Sequence, residues 1–449
     1  MNPKLALITC IVLIVWLLRI ERKRNPTASL ALWIPTFLLL IAGSRPVGRW
    51  FDYGPVLSGV GEAGSPFDRW VLNILTILAL LIFSRRQIEW SRIFKDNLWL
   101  ILLYVYLISS VLWSNFPFVS FKRWFRITVP VVLSVVILSE KQPLQSLESV
   151  LRRCAYVLVP LSLVLIKYFP DYGVQYDRWE GTRMGTGVTT HKNSLGVLCA
   201  LLSFTLIWAV LRKFHSGELF KSRYHTLADA LVIGIGLFLL FGGGGTYSAT
   251  SITIFIVGIT TLLVLSWMKN LSIYVSNNLK AMIIVGVGLF LLIGTSILPN
   301  FLSLLGRNKL LSGRDEIWSS VLEVASQNSV FGVGYGAYWG VVEEAYSKHH
   351  GVMQSHSGYL EVYLQVGIVG IIALFAFFME FCGKLRREVN YAFDWGVLGL
   401  CFLIMVLLYN YSEAAFIEAG FFWTVTVFLT VLFSAPYGRN AHAKEKEPV

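Results

Sequence analysis

Long apolar segments recur along the whole chain and are separated by shorter polar ones. Each apolar segment is about 15 to 20 residues long, close to the length that crosses a hydrocarbon core of roughly 30 Å as a helix. The pattern predicts an all-α polytopic membrane protein with about 12–13 transmembrane helices. The predicted spans are 4–18, 29–43, 70–84, 97–113, 127–139, 151–168, 194–211, 227–241, 251–267, 281–298, 358–381, 395–410 and 417–435.

The spans divide the chain into four regions, of which one is a long polar segment. Within that segment, LSGRDEIWSSVLEVASQ carries apolar residues at helical spacing after the start signals Ser312 and Gly313, so an ordered loop is predicted. The regions are 1–300 with about ten transmembrane helices and short outer loops, 301–357 as the long outer loop, 358–435 with about three further helices, and 436–449 as a basic cytoplasmic tail.

Composition and charge agree with lipid as the solvent. The chain is 55% hydrophobic and 14% charged, against roughly 25% charged residues in soluble domains. With the N-terminus outside, 23 of the 38 Lys and Arg residues fall in inner loops, as the preference of cations for the cytoplasmic side predicts. Topology thus accounts for most of the net charge of +12, and no nucleic-acid partner is expected.

The remaining cations form groups on the predicted outer side. The groups are Lys122, Arg123 and Arg126 in one loop, Arg178, Arg183 and Lys192 in the next, and Arg307, Lys309 and Arg314 in the long loop. One interpretation is interfacial anchoring by snorkelling side chains. Taken together, the groups indicate a receptor for an anion.

The outer loop 171–196 is polar, aromatic and rich in glycine, and it leads directly into a predicted span. Glycine allows close approach of the backbone to a ligand. Asn193 or Ser194 is predicted to cap the helix that follows, and the free amides of a helix N-terminus favour phosphate. This loop is therefore a second candidate for anion binding.

His356 lies at the edge of the apolar run HSGYLEVYLQVGIVG. A neutral imidazole can remove a proton from a hydroxyl near neutral pH; the alternative is a histidine that merely bridges a loop. Ionisable residues are scarce inside the spans, whereas a transporter usually needs charges near the midplane. The pattern thus favours chemistry at the outer leaflet over transport across the bilayer.

Five blocks occur in a fixed order from about Trp113 to Gly370: WSNFPFVSFKR, RMGTGVTTHKNSLG, LSGRDEIW, GVGYGAYW and HSGYLEVYLQVGIVG. The set resembles the O-antigen ligase and Wzy-type polymerase superfamily, and it is most similar to the exopolysaccharide-polymerase branch, the ExoQ-like proteins. The resemblance implies a metal-independent, inverting glycosyltransferase with a GT-C-like fold, without a cofactor, at the periplasmic face of the bacterial inner membrane.

The resemblance also implies the partners. They are an undecaprenyl-diphosphate-linked oligosaccharide as donor, a glycan acceptor (a repeat unit or lipid A-core), the lipid bilayer and a chain-length regulator. Three functions stay open: a polymerase that joins repeat units of O-antigen or exopolysaccharide, a ligase that transfers glycan to lipid A-core, and a polysaccharide flippase or other transporter. The polymerase is preferred because HKN and GVGYGAYW resemble the exopolysaccharide branch.

Matching the family's motifs to this sequence predicts the site. His356 and Gly367 match the second His and the Gly of the family's H-x-H-N block, whereas Gln354 and Ser357 depart from its first His and its Asn. Arg183 matches one family arginine. A second family arginine has no counterpart in 242–253, so its role is expected to pass to Arg314 or to the Lys122, Arg123 and Arg126 group.

These matches give each candidate residue a role. His356 is the expected general base, and Arg183, followed by Arg314, is expected to stabilise the leaving pyrophosphate. Further donor-binding candidates are Lys122, Arg123, Arg126, Lys192 and Asn193. Candidates for stacking on sugar rings are Tyr335, Tyr338, Trp339 and Tyr359, with packing against the core as the alternative for the loop aromatics.

Overall fold

The computed structural model describes residues 2–51, 66–176, 181–217, 223–243, 245, 247–268, 314–339 and 354–434. They form a bundle of helices with one two-stranded hairpin. The helices are α1 (Pro3–Arg24), α2 (Trp33–Ala42), α3 (Gly48–Phe51), α4 (Pro66–Phe83), α5 (Trp90–Asp96), α6 (Leu98–Ser109), α7 (Pro117–Leu138), α8 (Pro143–Tyr168), α9 (Pro170–Gly173), α10 (Lys192–His215), α11 (Arg223–Leu240), α12 (Ala249–Trp267), α13 (Arg314–Gln327), α14 (Gly358–Tyr391), α15 (Phe393–Ser412) and α16 (Phe421–Leu432). The strands are β1 (Val174–Tyr176) and β2 (Arg183–Gly185), which pair antiparallel.

The predicted class, an all-α polytopic membrane protein, is confirmed. Within the described ranges, seven helices are long and apolar enough to cross a membrane, or eight if α5 and α6 form one span bent by 83°. The predicted spans 29–43 and 417–435 correspond to the shorter helices α2 and α16, of 10 and 12 residues. The predicted span 281–298, the tail 436–449, and residues 301–313 and 340–353 of the long loop lie outside the described residues.

Two predicted helix starts have different outcomes. The helix expected after Ser312 and Gly313 is present as α13. The cap predicted at Asn193 or Ser194 is wrong, because α10 already begins at Lys192 and His191 is its cap. The His191 backbone is extended, and its Nδ1 accepts from the Asn193 amide at 3.2 Å. The N-cap acceptor of α10 is thus an imidazole nitrogen, whereas N-caps usually have the side-chain oxygen of Ser, Thr, Asp or Asn.

Charged residues from several predicted inner loops meet at one end of the bundle. Arg24 of α1 and Arg152 of α8 bond to Asp229 of α11 at 2.8 and 3.2 Å. Arg152 also bonds to Glu148, which accepts from Arg212 at the end of α10. Buried charges are tolerated only when paired in this way. The cluster ties α1, α8, α10 and α11 together at the end where the sequence predicts the cytoplasm.

At the opposite end, α14 is interrupted by an inserted turn. Gly367 adopts φ 65° and ψ −165°, which breaks the helix. The turn that follows α13 enters the gap, where Gly334 donates to the Gln365 carbonyl and Ile368 donates to the Ser329 carbonyl, both at 2.9 Å. Because a Cβ on Gly367 would lie 2.2 Å from the Val330 oxygen, only glycine fits there. The break leaves a short helical piece, residues 358–366, directly after His356.

Candidate active site

Glu413 joins three of the residues that the sequence selected. Its Oε1 accepts from Arg314 Nη2 at 3.0 Å and from Asn193 Nδ2 at 2.7 Å. Its Oε2 lies 3.4 Å from His356 Nδ1. The carboxylate is buried, with 5% of the side chain exposed. We call Glu413, His356, Arg314 and Asn193 the Glu413 cluster.

Local structure at the α14–α15 junction places Glu413 beside His356. Ser357 caps α14, and the Gly358 amide donates to the Glu413 carbonyl at 3.0 Å. Asn410 Oδ1 accepts from the amides of Ala415 and Phe416, both at 2.8 Å, which turns the chain sharply after α15. The start of one helix is therefore fixed against the end of the next, and the two side chains cannot drift apart.

His356 is held in a strained conformation. Its φ is 51°, a left-handed value that non-glycine residues rarely adopt and that costs about 1–3 kcal/mol. Nδ1 faces both Glu413 and Gln354, whose Nε2 lies at 3.3 Å, while Nε2 bonds to no other described residue. An imidazole that gives its Nδ1 proton to a carboxylate keeps Nε2 as a base. The strain and this orientation are typical of a functional side chain.

A second buried carboxylate supports the turn that carries His356. Glu361 accepts from the Ser355 amide at 3.0 Å and from Trp339 Nε1 at 2.9 Å. Gln365 donates to its other oxygen at 2.6 Å. On the other side, Trp318 of α13 donates to the Ser355 carbonyl at 2.9 Å. The backbone next to His356 is thereby fixed from two elements.

Arg314 and Asn193 bring distant loops to the same carboxylate. Arg314 also donates to the Ser412 carbonyl from its Nη1, and about a sixth of its side chain stays exposed. Since Arg314 begins α13 and Asn193 lies in the first turn of α10, the Glu413 cluster joins three separate parts of the chain. The Arg314 guanidinium places a positive charge near His356, the potential base.

Arg183 lies on a separate, ordered hairpin. Its Nη2 donates to the Ile166 carbonyl at 3.0 Å, and the side chain is otherwise exposed. Arg45, which the sequence analysis did not select, holds the loop after β2 through the carbonyls of Gly187 and Thr189 at 2.8 and 3.1 Å. The structure therefore presents Arg183 on a fixed support at the same end of α8 and α10 as Asn193, and does not bond it to Glu413.

Lys192 faces the loop where the family's second arginine is missing. A small cavity between β2, α10 and the segment before α12 is lined by Gly185, Lys192, Gly196, Tyr247 and Ser248. A Cβ at Gly245 would lie 2.6 Å from the Arg183 carbonyl oxygen, so the glycine-rich segment packs directly on β2. The segment 242–253 thus borders the hairpin without contributing a cation of its own.

The three cations of α7 take different positions. Arg123 donates to the carbonyls of Gly336 and Trp339 and so holds the turn after α13. Lys122 lies over the Phe118 ring at 4.6 Å. Arg126 is exposed and bonds to no other described residue. Within the described part of the chain, only Arg126 of the three is open to an anion on all sides.

The four aromatic candidates differ in burial: three are buried and one is exposed. Tyr335, Tyr338 and Trp339 are 5–7% exposed, and the Tyr335 hydroxyl donates to the Ile417 carbonyl at 2.7 Å. These three rings pack against the protein core, which was the alternative interpretation, and they are too buried to stack on a sugar. Tyr359 is 37% exposed and donates to the Leu407 carbonyl at 3.0 Å.

Sequence reasoning missed the acidic residues of this region. Glu413 comes directly after the predicted span 395–410, in the polar sequence NYSE. A carboxylate at the predicted outer end of a span, in a chain with few carboxylates inside its predicted spans, was a usable signal. Glu361 and Glu418 gave no comparable signal, since their roles depend on contacts with other elements.

Two comparisons with known proteins bear on this site. Residues 230–375 match a family described as O-antigen ligase. The chain is also similar to the exopolysaccharide production protein ExoQ of Rhizobium meliloti (strain 1021), with 24% identity over 330 residues that cover 70% of each chain. These matches confirm the resemblance to the O-antigen ligase and Wzy-type polymerase superfamily, and the matched range contains Arg314, His356 and Gly367.

Proposed function

We propose that this protein is a glycosyltransferase at the periplasmic face of the bacterial inner membrane. It transfers a glycan from undecaprenyl diphosphate to a sugar hydroxyl and thereby polymerises repeat units of O-antigen or exopolysaccharide. The observation that carries the proposal is the Glu413 cluster, in which one carboxylate joins His356 to Arg314. A base and a fixed cation in one site are the two groups that this reaction requires.

The proposed step begins at His356. Its Nε2 takes the proton of the acceptor hydroxyl while that oxygen attacks the anomeric carbon of the donor sugar. The bond between the anomeric carbon and the diphosphate oxygen breaks, and the electron pair leaves with undecaprenyl diphosphate. Attack opposite the leaving group inverts the anomeric carbon. Glu413 stabilises the imidazolium that forms, because its Oε2 faces Nδ1.

Negative charge grows on the leaving diphosphate and must be stabilised. Arginine suits this task because its planar fork binds two oxygens and stays charged. Arg183 on its hairpin and Arg314 in the Glu413 cluster are the proposed donors, with Lys192 and Arg126 as further cations at the same end of the bundle. Since Glu413 neutralises Arg314 in part, Arg183 is the stronger candidate for the diphosphate itself.

The family and the ExoQ relative support a polymerase or ligase of O-antigen or exopolysaccharide. Polymerisation is preferred for two reasons. The similarity to an exopolysaccharide production protein extends over 70% of the chain. The segments HKN and GVGYGAYW also resemble the exopolysaccharide branch.

The test uses purified protein in nanodiscs with lipid-diphosphate-linked repeat units as the single glycan. A polymerase gives a ladder of products on a gel under these conditions. Transfer that starts only after lipid A-core is added identifies a ligase instead. If neither product forms while the protein is folded and binds the donor, the proposed transfer is contradicted.

A further inference from the structure

A cavity lies at the end of the bundle opposite His356. It has a volume of about 700 Å³, and it is lined by one side of α5, by Arg387 near the end of α14 and by Ser434 after α16. The proposed reaction does not use this region. The cytoplasmic side is predicted here, because the loops 85–96 and 384–387 carry clustered cations.

Two cations of the cavity have no carboxylate partner in the part of the chain that the structure describes. Arg92 lies 3.5 Å from Glu89 and 3.9 Å from Asp96, so one cation faces two carboxylates and the three charges leave a net charge of −1. Lys95 and Arg387 are both exposed, and neither bonds to another described residue. The lining thus has three cations and two carboxylates, a net charge of +1, and the two cations without a bonding partner among the described residues are the groups that could bind an anion.

Helix α5 has the features of a helix that lies in the plane of the membrane surface. It is bent by 83° from α6, and its Trp90 and Phe94 are 42% and 52% exposed. Aromatic residues of this kind sit at the level of lipid headgroups, and a short amphipathic segment there places its apolar side against acyl chains. The cations and the Trp90 ring thus border one cavity, and the Phe94 ring lies next to Trp90 with 6.3 Å between the ring centroids.

Hydrogen bonds join the elements next to the cavity. Asn97 Oδ1 accepts from Lys384 Nζ at 2.7 Å and from Ser434 Oγ at 2.9 Å, which joins α6, α14 and the end of α16. The Trp99 amide donates to Glu380 at 2.8 Å. These bonds hold Ser434, which lines the cavity, in a fixed position relative to α6 and α14.

We propose that this cavity binds the headgroup of an anionic phospholipid. Lys95 and Arg387 bond to the phosphate oxygens, and Trp90 and Phe94 lie against the glycerol and the upper acyl chains. A free phosphate ion would use the cations but not the exposed rings, and it would fill a small part of a 700 Å³ space. Basic groups at the membrane surface favour anionic lipids in this manner.

The test measures the lipids that remain bound to the full-length protein. Wild-type protein, the double variant Lys95→Gln/Arg387→Gln and the control Lys141→Gln/Arg223→Gln are equilibrated with equal amounts of phosphatidylcholine and phosphatidylglycerol and examined by native mass spectrometry. Lys141 and Arg223 are exposed cations that do not line the cavity. We expect wild type and control to retain phosphatidylglycerol several-fold better than the double variant.

Three results would overturn the proposal. They are equal retention of phosphatidylglycerol by the two double variants, no preference for phosphatidylglycerol in the wild type, and displacement of the bound lipid by millimolar inorganic phosphate. The single variants Lys95→Gln and Arg387→Gln keep the test decisive if the double variant fails to fold, since each is expected to lose part of the retention.

Discussion

At the residue scale, the charge of Glu413 determines what its neighbours can do. Both of its oxygens are engaged, one by His356 and the other by Arg314 and Asn193. A hydrogen-bonded carboxylate fixes the tautomer and the orientation of a histidine. Without that charge, His356 would keep its position in the backbone but lose the partner that stabilises its protonated form.

The variant Glu413→Gln tests this role. We expect turnover to fall by a factor of about ten to a hundred, a part of the roughly 10²–10⁴-fold effect of a general base, because glutamine keeps the shape but not the charge. Glycan transfer in nanodiscs gives the rate, and Glu323→Gln, an exposed carboxylate of α13, is the control. Equal rates for both variants would contradict the proposed role of Glu413.

Glu418 is a second unusual carboxyl. It lies between α15 and α16 and bonds to no other described residue. The surrounding protein removes water from the group and the nearby Glu361 adds negative charge, so the pKa of Glu418 is raised from 4.5 to about 8. Arg126 and Arg123 oppose this shift.

The raised pKa predicts how stability depends on pH. The folded protein keeps a proton that the unfolded chain releases near pH 4.5, so this contribution to stability is lost as the pH rises toward 8. Thermal melting in detergent should show a smaller decrease from about pH 5 to 9 for Glu418→Gln than for wild type. Parallel pH curves for the two proteins would contradict the assignment.

At the scale of elements, the break in α14 explains why a glycine stands eleven residues after His356. The turn from Ser329 to Gly334 occupies the space that a continuous helix would fill. The same turn continues to Trp339, which bonds to Glu361. The helix break and the backbone beside His356 thus belong to one connected structure.

The variant Gly367→Ala should displace the turn from Ser329 to Gly334 from the break in α14. The Cβ of an alanine at position 367 would lie 2.2 Å from the Val330 carbonyl oxygen, and the residue has a φ of 65°. We therefore expect the variant to lose about 1–3 kcal/mol of stability or more, and most of its activity. Gly383→Ala is the matched control, because the space around Gly383 in the same helix is open. A melting temperature for Gly367→Ala equal to that of the control would show that the break is not required.

The hairpin of β1 and β2 supports the second cation of the site. Arg183→Ala should weaken donor binding and slow transfer, because the diphosphate loses a fork-shaped partner. Binding of a lipid-diphosphate donor and the transfer rate give the two readouts. Arg69→Ala, an exposed cation in the first turn of α4, is the control. Unchanged affinity and rate in Arg183→Ala would exclude its role.

At the scale of the molecule, the charged groups fall at two ends with different uses. One end contains a buried cluster of ion pairs around Asp229 and Arg152, which holds four helices together. The other end keeps His356 and Arg183 partly open to solvent. A catalyst at one membrane face needs this asymmetry, whereas a transporter needs charges along its path.

Much of the fold follows from sequence, and less of the site does. Apolar periodicity locates the helices in the described ranges because each must be long enough to lie in lipid. The break at Gly367 was not predicted, since an apolar run gives no sign of an inserted turn. The pairing of His356 with Glu413 also requires knowledge of how two helix ends meet. Motif order identified Arg314 and Asn193, whereas the burial of Tyr335 depends on packing that periodicity does not describe.

The most direct measurement is the rate of repeat-unit polymerisation by His356→Ala in nanodiscs, at protein levels matched to wild type. The account predicts a loss of about 10²–10⁴-fold, with normal donor binding and an unchanged melting temperature. His215→Ala, an exposed histidine at the other end of the bundle, should retain the wild-type rate. Polymer formation by His356→Ala at the rate of His215→Ala would contradict the assignment of His356 as the general base.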